Sequence, residues 1–104
     1  MRVYVSSPYS LGGVEANVRT AINAATELLD AGYWPYVPLL CHFWHQQRPR
    51  DYETWMALDL AWLAVCDCVL RLPGESPGAD REVARAHELG LPVYGSVEEV
   101  LQSS

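Results

Sequence analysis

The sequence predicts an α/β fold, an open parallel sheet of about four strands flanked by helices. Two observations carry this expectation. Short β-branched or aromatic runs alternate with longer segments of helical apolar spacing, and Gly, Pro or Ser punctuates the junctions. With 104 residues the chain can bury one core, so residues 1–104 are expected to form a single domain.

The elements follow in order. Residues 2–6, RVYVS, form a first strand ended by the turn-rich SSPYSLGG. From about Glu15 to Ala31, Val18, Ala21, Ile22, Ala25, Leu28 and Leu29 recur at helical spacing, and Gly32 caps the end. A second strand, interrupted by prolines, runs from about Tyr33 to Val37. Residues 41–51 mix His, Gln, Arg and Pro without a period and read as a loop. Asp51 caps a second helix over about Tyr52 to Val65, and CVLRL is the third strand. The PGESPG turn leads into a helix from Pro77 to about Leu89, with Ser76 at its N-cap and Gly90 at its end. PVYG is a fourth short strand, and Ser96 to Glu99 form a capping box for a last helix.

This alternation describes a small Rossmann-like (flavodoxin-like) sheet with right-handed connections. Ligands of such sheets sit beyond the carboxyl ends of the strands. The loops at that edge are SSPYSLGG, PLLCHFWHQQRPR and PGESPG.

Composition narrows the function. A net charge of −6 argues against nucleic-acid polymers, and no run of about 20 apolar residues suggests a membrane span. All seven basic residues are Arg, which removes Schiff-base lysine chemistry and lysine-dependent phosphate loops. The N-terminus enters a strand directly, without the pattern of a signal peptide. Three cysteines, Cys41, Cys66 and Cys68, lack a disulfide framework's spacing and suggest the cytoplasm. Cys66 and Cys68 are expected to share one face and to pack there. Half the residues are hydrophobic, with four Trp and six Tyr, so some aromatics are expected at a pocket or at a homodimer or larger homo-oligomer interface.

Two carboxylates draw chemical interest. Asp59 is the only charged residue of TWMALDLAWLAVC, with Trp55, Met56, Trp62 and Leu63 on its side of the helix. Such surroundings raise a carboxyl pKa and suit a proton donor or a ligand contact; pairing with an Arg is the structural alternative. Glu82 lies early in the helix after PGESPG, where the dipole favours an ionised carboxylate. Two carboxylates with divergent environments suit the acid and nucleophile of glycoside chemistry. Glu75 and Asp80 compete for the nucleophile's role, and local sequence does not choose among them. Ser76 and Gly78 can hold a phosphate or sugar hydroxyls, and SSPYSLGG offers a second cradle of backbone N–H groups. Both are equally readable as ordinary turns. Cys41, His42 and His45 lack an evident fourth ligand, so no metal is expected, and His42 is read as a ligand contact. His87 is read as a helix-surface residue. No dinucleotide fingerprint is present, and no cofactor is expected.

YVSSPYSLGG after the first strand, Asn17 opening a helix, LDLAWLAVCD, and LPGESPGADREVARAHELGLPVY together resemble the nucleoside 2-deoxyribosyltransferase superfamily. The likeness spans about residues 1 to 95 and is nearest to the superfamily's small uncharacterised members and its 2′-deoxynucleoside 5′-phosphate N-hydrolases. It implies a covalent N-glycosidase mechanism on a small nucleoside or nucleotide, with deoxyribosyl transfer between bases and nucleotide binding without turnover as the alternatives. The nucleophile falls on Glu82, the residue that helps protonate the leaving base on Asp59, and the Tyr that orients the nucleophile on Tyr4. Sugar or phosphate contacts fall on Ser76 and Gly78. The loop from Ser7 through Pro8 and Tyr9 to Gly12 closes over the ligand. Ser10 stands where some phosphate-specific relatives carry an arginine, which leaves Arg48 or Arg50 to meet a phosphate.

Overall fold

A computed structural model describes residues 1–103. Its elements are β1 (Arg2–Ser6), α1 (Val14–Asp30), β2 (Trp34–Tyr36), α2 (Cys41–Gln47), α3 (Tyr52–Leu63), β3 (Cys68–Arg71), α4 (Pro77–Glu88), β4 (Val93–Tyr94) and α5 (Val97–Gln102), with a 3-10 turn at Pro38–Leu40. The four strands are parallel in the order β2-β1-β3-β4, with Tyr4 opposite Tyr36 on one side and Val69 on the other. This is the Rossmann-like α/β sheet expected from the alternation of elements.

The period-two alternation of β1 divides the core. Val3 and Val5 pack with Val18, Ala21 and Leu28 of α1 and Val100 of α5, on one face. Tyr4 faces the other side with Val69, Leu63 of α3 and Ala86 of α4. Burying each Leu stabilises the fold by about 1.5–3 kcal/mol. On α1 the buried stripe is narrower than the apolar pattern suggests. Ile22 and Leu29 are 39% and 53% exposed, because they lie to the side of the line through Val18, Ala21, Ala25 and Leu28.

The caps form as expected. The side chains of Asp51, Ser76 and Ser96 accept from the backbone N–H of Thr54, Ala79 and Glu99. Glu99 reaches back to the N–H of Gly95 (2.6 Å) rather than to that of Ser96. Asn17 does not open α1. It sits in the first turn behind Gly13, and its side-chain amide donates to the carbonyls of Tyr9 and Leu11, tying down the loop after β1.

Two further expectations need correction. Residues 41–47 form a helix, α2, and not a loop. No residue of α2 is fully buried, so it lacks the apolar stripe that reveals a helix in sequence; ring contacts to α3 and the β1 loop dock it instead. Cys66 and Cys68 do not share a face. Cys66 precedes the strand and packs beside Tyr4 and Leu63, while Cys68 packs beneath α1. Among the described residues, no helix is long and apolar enough to cross a membrane.

Candidate functional site

The chain leaves β1 toward β2 and returns to β3 on the other side, so strand order switches between β1 and β3. At the carboxyl edge there, a cavity of about 370 Å³ opens beneath α2, α3 and the start of α4. That volume suits a small organic ligand.

Glu82 forms part of its wall and is only 5% exposed. It is the sixth residue of α4, beyond the free N–H groups at the helix start, so the dipole is not its main support. Side chains from β1 supply that support. Tyr4 Oη donates to Glu82 Oε2 at 2.5 Å, and Ser6 Oγ donates to Oε1 at 2.7 Å. Each carboxylate oxygen therefore has one donor, which fixes the plane of the group. Burial pushes the Glu82 carboxyl above its ordinary range, while the Tyr4 and Ser6 bonds and then the Arg71 charge pull it back. Burial, followed by the charges of Glu82 and Asp59, pushes the Tyr4 hydroxyl far up, so it remains a proton donor to Glu82.

Arg71 braces the turn before α4. Its guanidinium donates to the carbonyls of Leu72 and Gly74 and lies 3.6 Å from Asp80. Burial distinguishes the three acids that local sequence left open. Glu75 and Asp80 are exposed, whereas Glu82 turns inward.

Asp59 enters the same cavity from α3 and is 9% exposed. Its described hydrogen-bond partner is Tyr36, whose hydroxyl donates to Oδ1 at 3.5 Å; no Arg pairs with it among the described residues. Burial first, and the Glu82 charge second, push the Asp59 carboxyl up to about 7. The two acids are thus unequal. Glu82 has two close donors and a nearby cation, Asp59 has one long contact, and the proton is retained longest on Asp59.

Ser7, Tyr9, His42, Ser76 and Gly78 line the cavity with these carboxylates. Tyr9 Oη and His42 Nδ1 share a hydrogen bond of 2.6 Å, joining the β1 loop to α2. The Ser76 hydroxyl accepts from the Ala79 N–H at 3.0 Å, so its capping and wall-forming positions coincide. At Gly78 an added Cβ would come within 3.2 Å of Tyr52 Oη, so the missing side chain keeps this wall open. Tyr4 lies behind Glu82 and reaches the cavity through it. Pro8 and Gly12 are not in the wall. Pro8 is buried against Gly74, and Gly12 turns the exposed loop with φ +90°.

The sequence reading passed over Ser6, which supports Glu82 from behind the wall, and did not place Cys41 and His45 in it. Ser6 was legible in principle, since it follows Tyr4 by two on a strand and must share its face. Cys41 and His45 lie on the unrecognised α2, and both line the cavity. Burial and the nearby Asp59 charge push the Cys41 thiol up. Among the described residues no cluster of His, Cys, Asp and Glu is arranged to hold a metal ion.

Comparison with known proteins places this geometry in context. The family described as "Domain of unknown function (DUF7768)" matches residues 1–95. No curated protein matches the chain. Among solved structures, a 2-deoxyribosyltransferase from the psychrotolerant bacterium Bacillus psychrosaccharolyticus is similar, with a TM-score of 0.61 and 20% identity. The similarity covers 89% of this chain and 69% of that chain, and it shows a shared fold.

Proposed function

The chain belongs to this family of unknown function, and we propose from its own site that it cleaves the N-glycosidic bond of a 2′-deoxynucleoside or its 5′-monophosphate. One observation carries the reading: two buried carboxylates of unequal basicity, Glu82 and Asp59, face one cavity at the strand-order switch. In this mechanism the Glu82 carboxylate attacks the anomeric carbon, and the bond to the base breaks as Asp59 delivers its proton to the departing nitrogen. Tyr4 and Ser6 hold Glu82 in the plane of attack. Water then attacks the glycosyl-Glu82 ester and releases the sugar, with Asp59 accepting its proton.

The similar 2-deoxyribosyltransferase supports a second reading of the same chemistry, in which an incoming base replaces water and a new nucleoside forms. Ser7, Tyr9, His42, Ser76 and Gly78 are the wall residues proposed to bind substrate, with Pro8 and Gly12 shaping the loop that closes over it. No cofactor is invoked. Exposed Trp34, Trp44 and Trp62 support self-association as a homodimer or higher homo-oligomer, which sedimentation at micromolar concentration tests. Three unpaired cysteines fit a cytoplasmic setting.

The test is chromatography of free base after incubation with each 2′-deoxynucleoside and its 5′-monophosphate, beside the Glu82→Ala protein. Base released by the wild-type protein and not by the folded variant is the expected result. Equal release by both overturns the assignment of Glu82. Adding a second base as acceptor separates hydrolysis from transfer.

A further inference from the structure

His45 projects from α2 into the cavity wall, and its ring is held in an unusual way. Trp55 Nε1–H donates to His45 Nδ1 at 2.8 Å, and the backbone N–H of Arg50 donates to the same atom at 3.2 Å. Both donors need the lone pair on Nδ1. An imidazole that accepts there carries its proton on Nε2. The ring therefore has one polar atom left to offer, and that atom is a hydrogen-bond donor.

Its position on the wall is informative. Trp55 and Met56 precede Asp59 by four and three residues on α3, and all three line the cavity. One helical turn rises about 5.4 Å, a distance that a nucleobase bridges. A base receiving its proton from Asp59 would thus lie against Met56 and Trp55, at the edge where His45 stands. Trp55 and Met56 present apolar surface to the faces of a ring. His45 supplies a directional polar contact beside them.

We propose that His45 is a specificity-determining residue that reads the departing base, its Nε2–H donating to an acceptor atom on the base edge. This rests on the reading above that the cavity takes a nucleoside. Trp55 then serves twice, as a surface for the base and as the group that sets the His45 tautomer. A base that turns an amino donor toward His45 meets a second donor and is disfavoured, whereas one that turns a carbonyl oxygen or ring nitrogen there is accepted.

Two substitutions separate this role from a structural one. In His45→Asn the side-chain oxygen can occupy the place of Nδ1 and keep Trp55 and Arg50 satisfied, but the far donor is gone. In His45→Gln an amide N–H can reach the place of Nε2. Equilibrium dialysis with free nucleobases, and base release from 2′-deoxynucleosides, are measured for both variants and the wild-type protein, with thermal melts to verify folding. About tenfold weaker base binding in His45→Asn is expected, with most of the loss restored in His45→Gln. The reverse order, or equal binding by wild type and His45→Asn, overturns the proposal, as does absence of binding by any base. A loss confined to 5′-phosphorylated substrates also overturns it, because the donor would then read the phosphate. Base binding by wild type without base release overturns the proposed reaction and leaves the His45 contact to be judged by the variants. Independently of any ligand, two-dimensional ¹H–¹⁵N spectra of the ring should show the Nε2–H tautomer; an Nδ1–H tautomer refutes the argument.

Discussion

Replacing Asp59 by Asn should make the protein more stable at pH 8 and leave it little changed at pH 4. The reason is the environment that the proposed chemistry requires. Burial and the Glu82 charge raise the Asp59 carboxyl from an ordinary 3.8 to about 7. A raised carboxyl favours folding while protonated in both states, and that advantage is lost as pH rises. Below about 4 the group is protonated whether folded or not. Between about 4 and 7 only the unfolded chain ionises it, so stability falls, and above about 7 the loss is complete. The difference of roughly three pKa units corresponds to an upper limit of about 4 kcal/mol. Water in the cavity screens part of the penalty, and about 2 kcal/mol is the expected effect. Asn is nearly isosteric and carries no charge at any of these pH values. Urea unfolding of both proteins from pH 4 to 8 reads the difference directly, and a 2 kcal/mol gain would raise Tm by about 10 °C at pH 8. Parallel stability curves for the two proteins would refute the claim that Asp59 is held protonated by its surroundings. In the same variant base release should fall at least about 100-fold, since the amide is no proton donor.

Base release by the wild-type protein should decline as pH rises through about 7, where Asp59 gives up its proton; a rate that is flat to pH 9 would contradict its role as the acid. Tyr4→Phe removes one of two donors to Glu82. It should lower kcat by about tenfold to 100-fold and shift the acidic limb of the pH profile upward, because the lost hydrogen bond had favoured the ionised carboxylate. Gly74→Ala places a Cβ 2.7 Å from Pro8 Cγ at a φ of +120° and should destabilise the fold by about 1–3 kcal/mol in urea titration.

Local physics made much of the architecture readable. Three caps, at Asp51, Ser76 and Ser96, needed only a polar side chain three residues before an N–H, and all three form. The buried line of α1 followed from its spacing, although Ile22 and Leu29 show that an apolar pattern can be wider than the face that packs. The isolated Asp59 in an apolar helix announced a perturbed carboxyl. By contrast α2 was hidden because its residues face a cavity and each other rather than the core. Aromatic and polar side chains at such positions carry no 3.6-residue hydrophobic signal.

Sequence alone therefore determined the order and type of most elements, since these depend on contacts within a few residues. It also limited the candidates for the proposed nucleophile to the acids around PGESPG. Tertiary structure decided which acid is buried, because that choice depends on how α4 lies over β1. Glu82 meets Tyr4 and Ser6 across 78 and 76 residues of chain, and Glu75 and Asp80 remain in solvent. The same packing brought Asp59 within reach of the Glu82 charge and set the His45 tautomer through Trp55. These are long-range encounters, and no local pattern encodes the distance at which they occur.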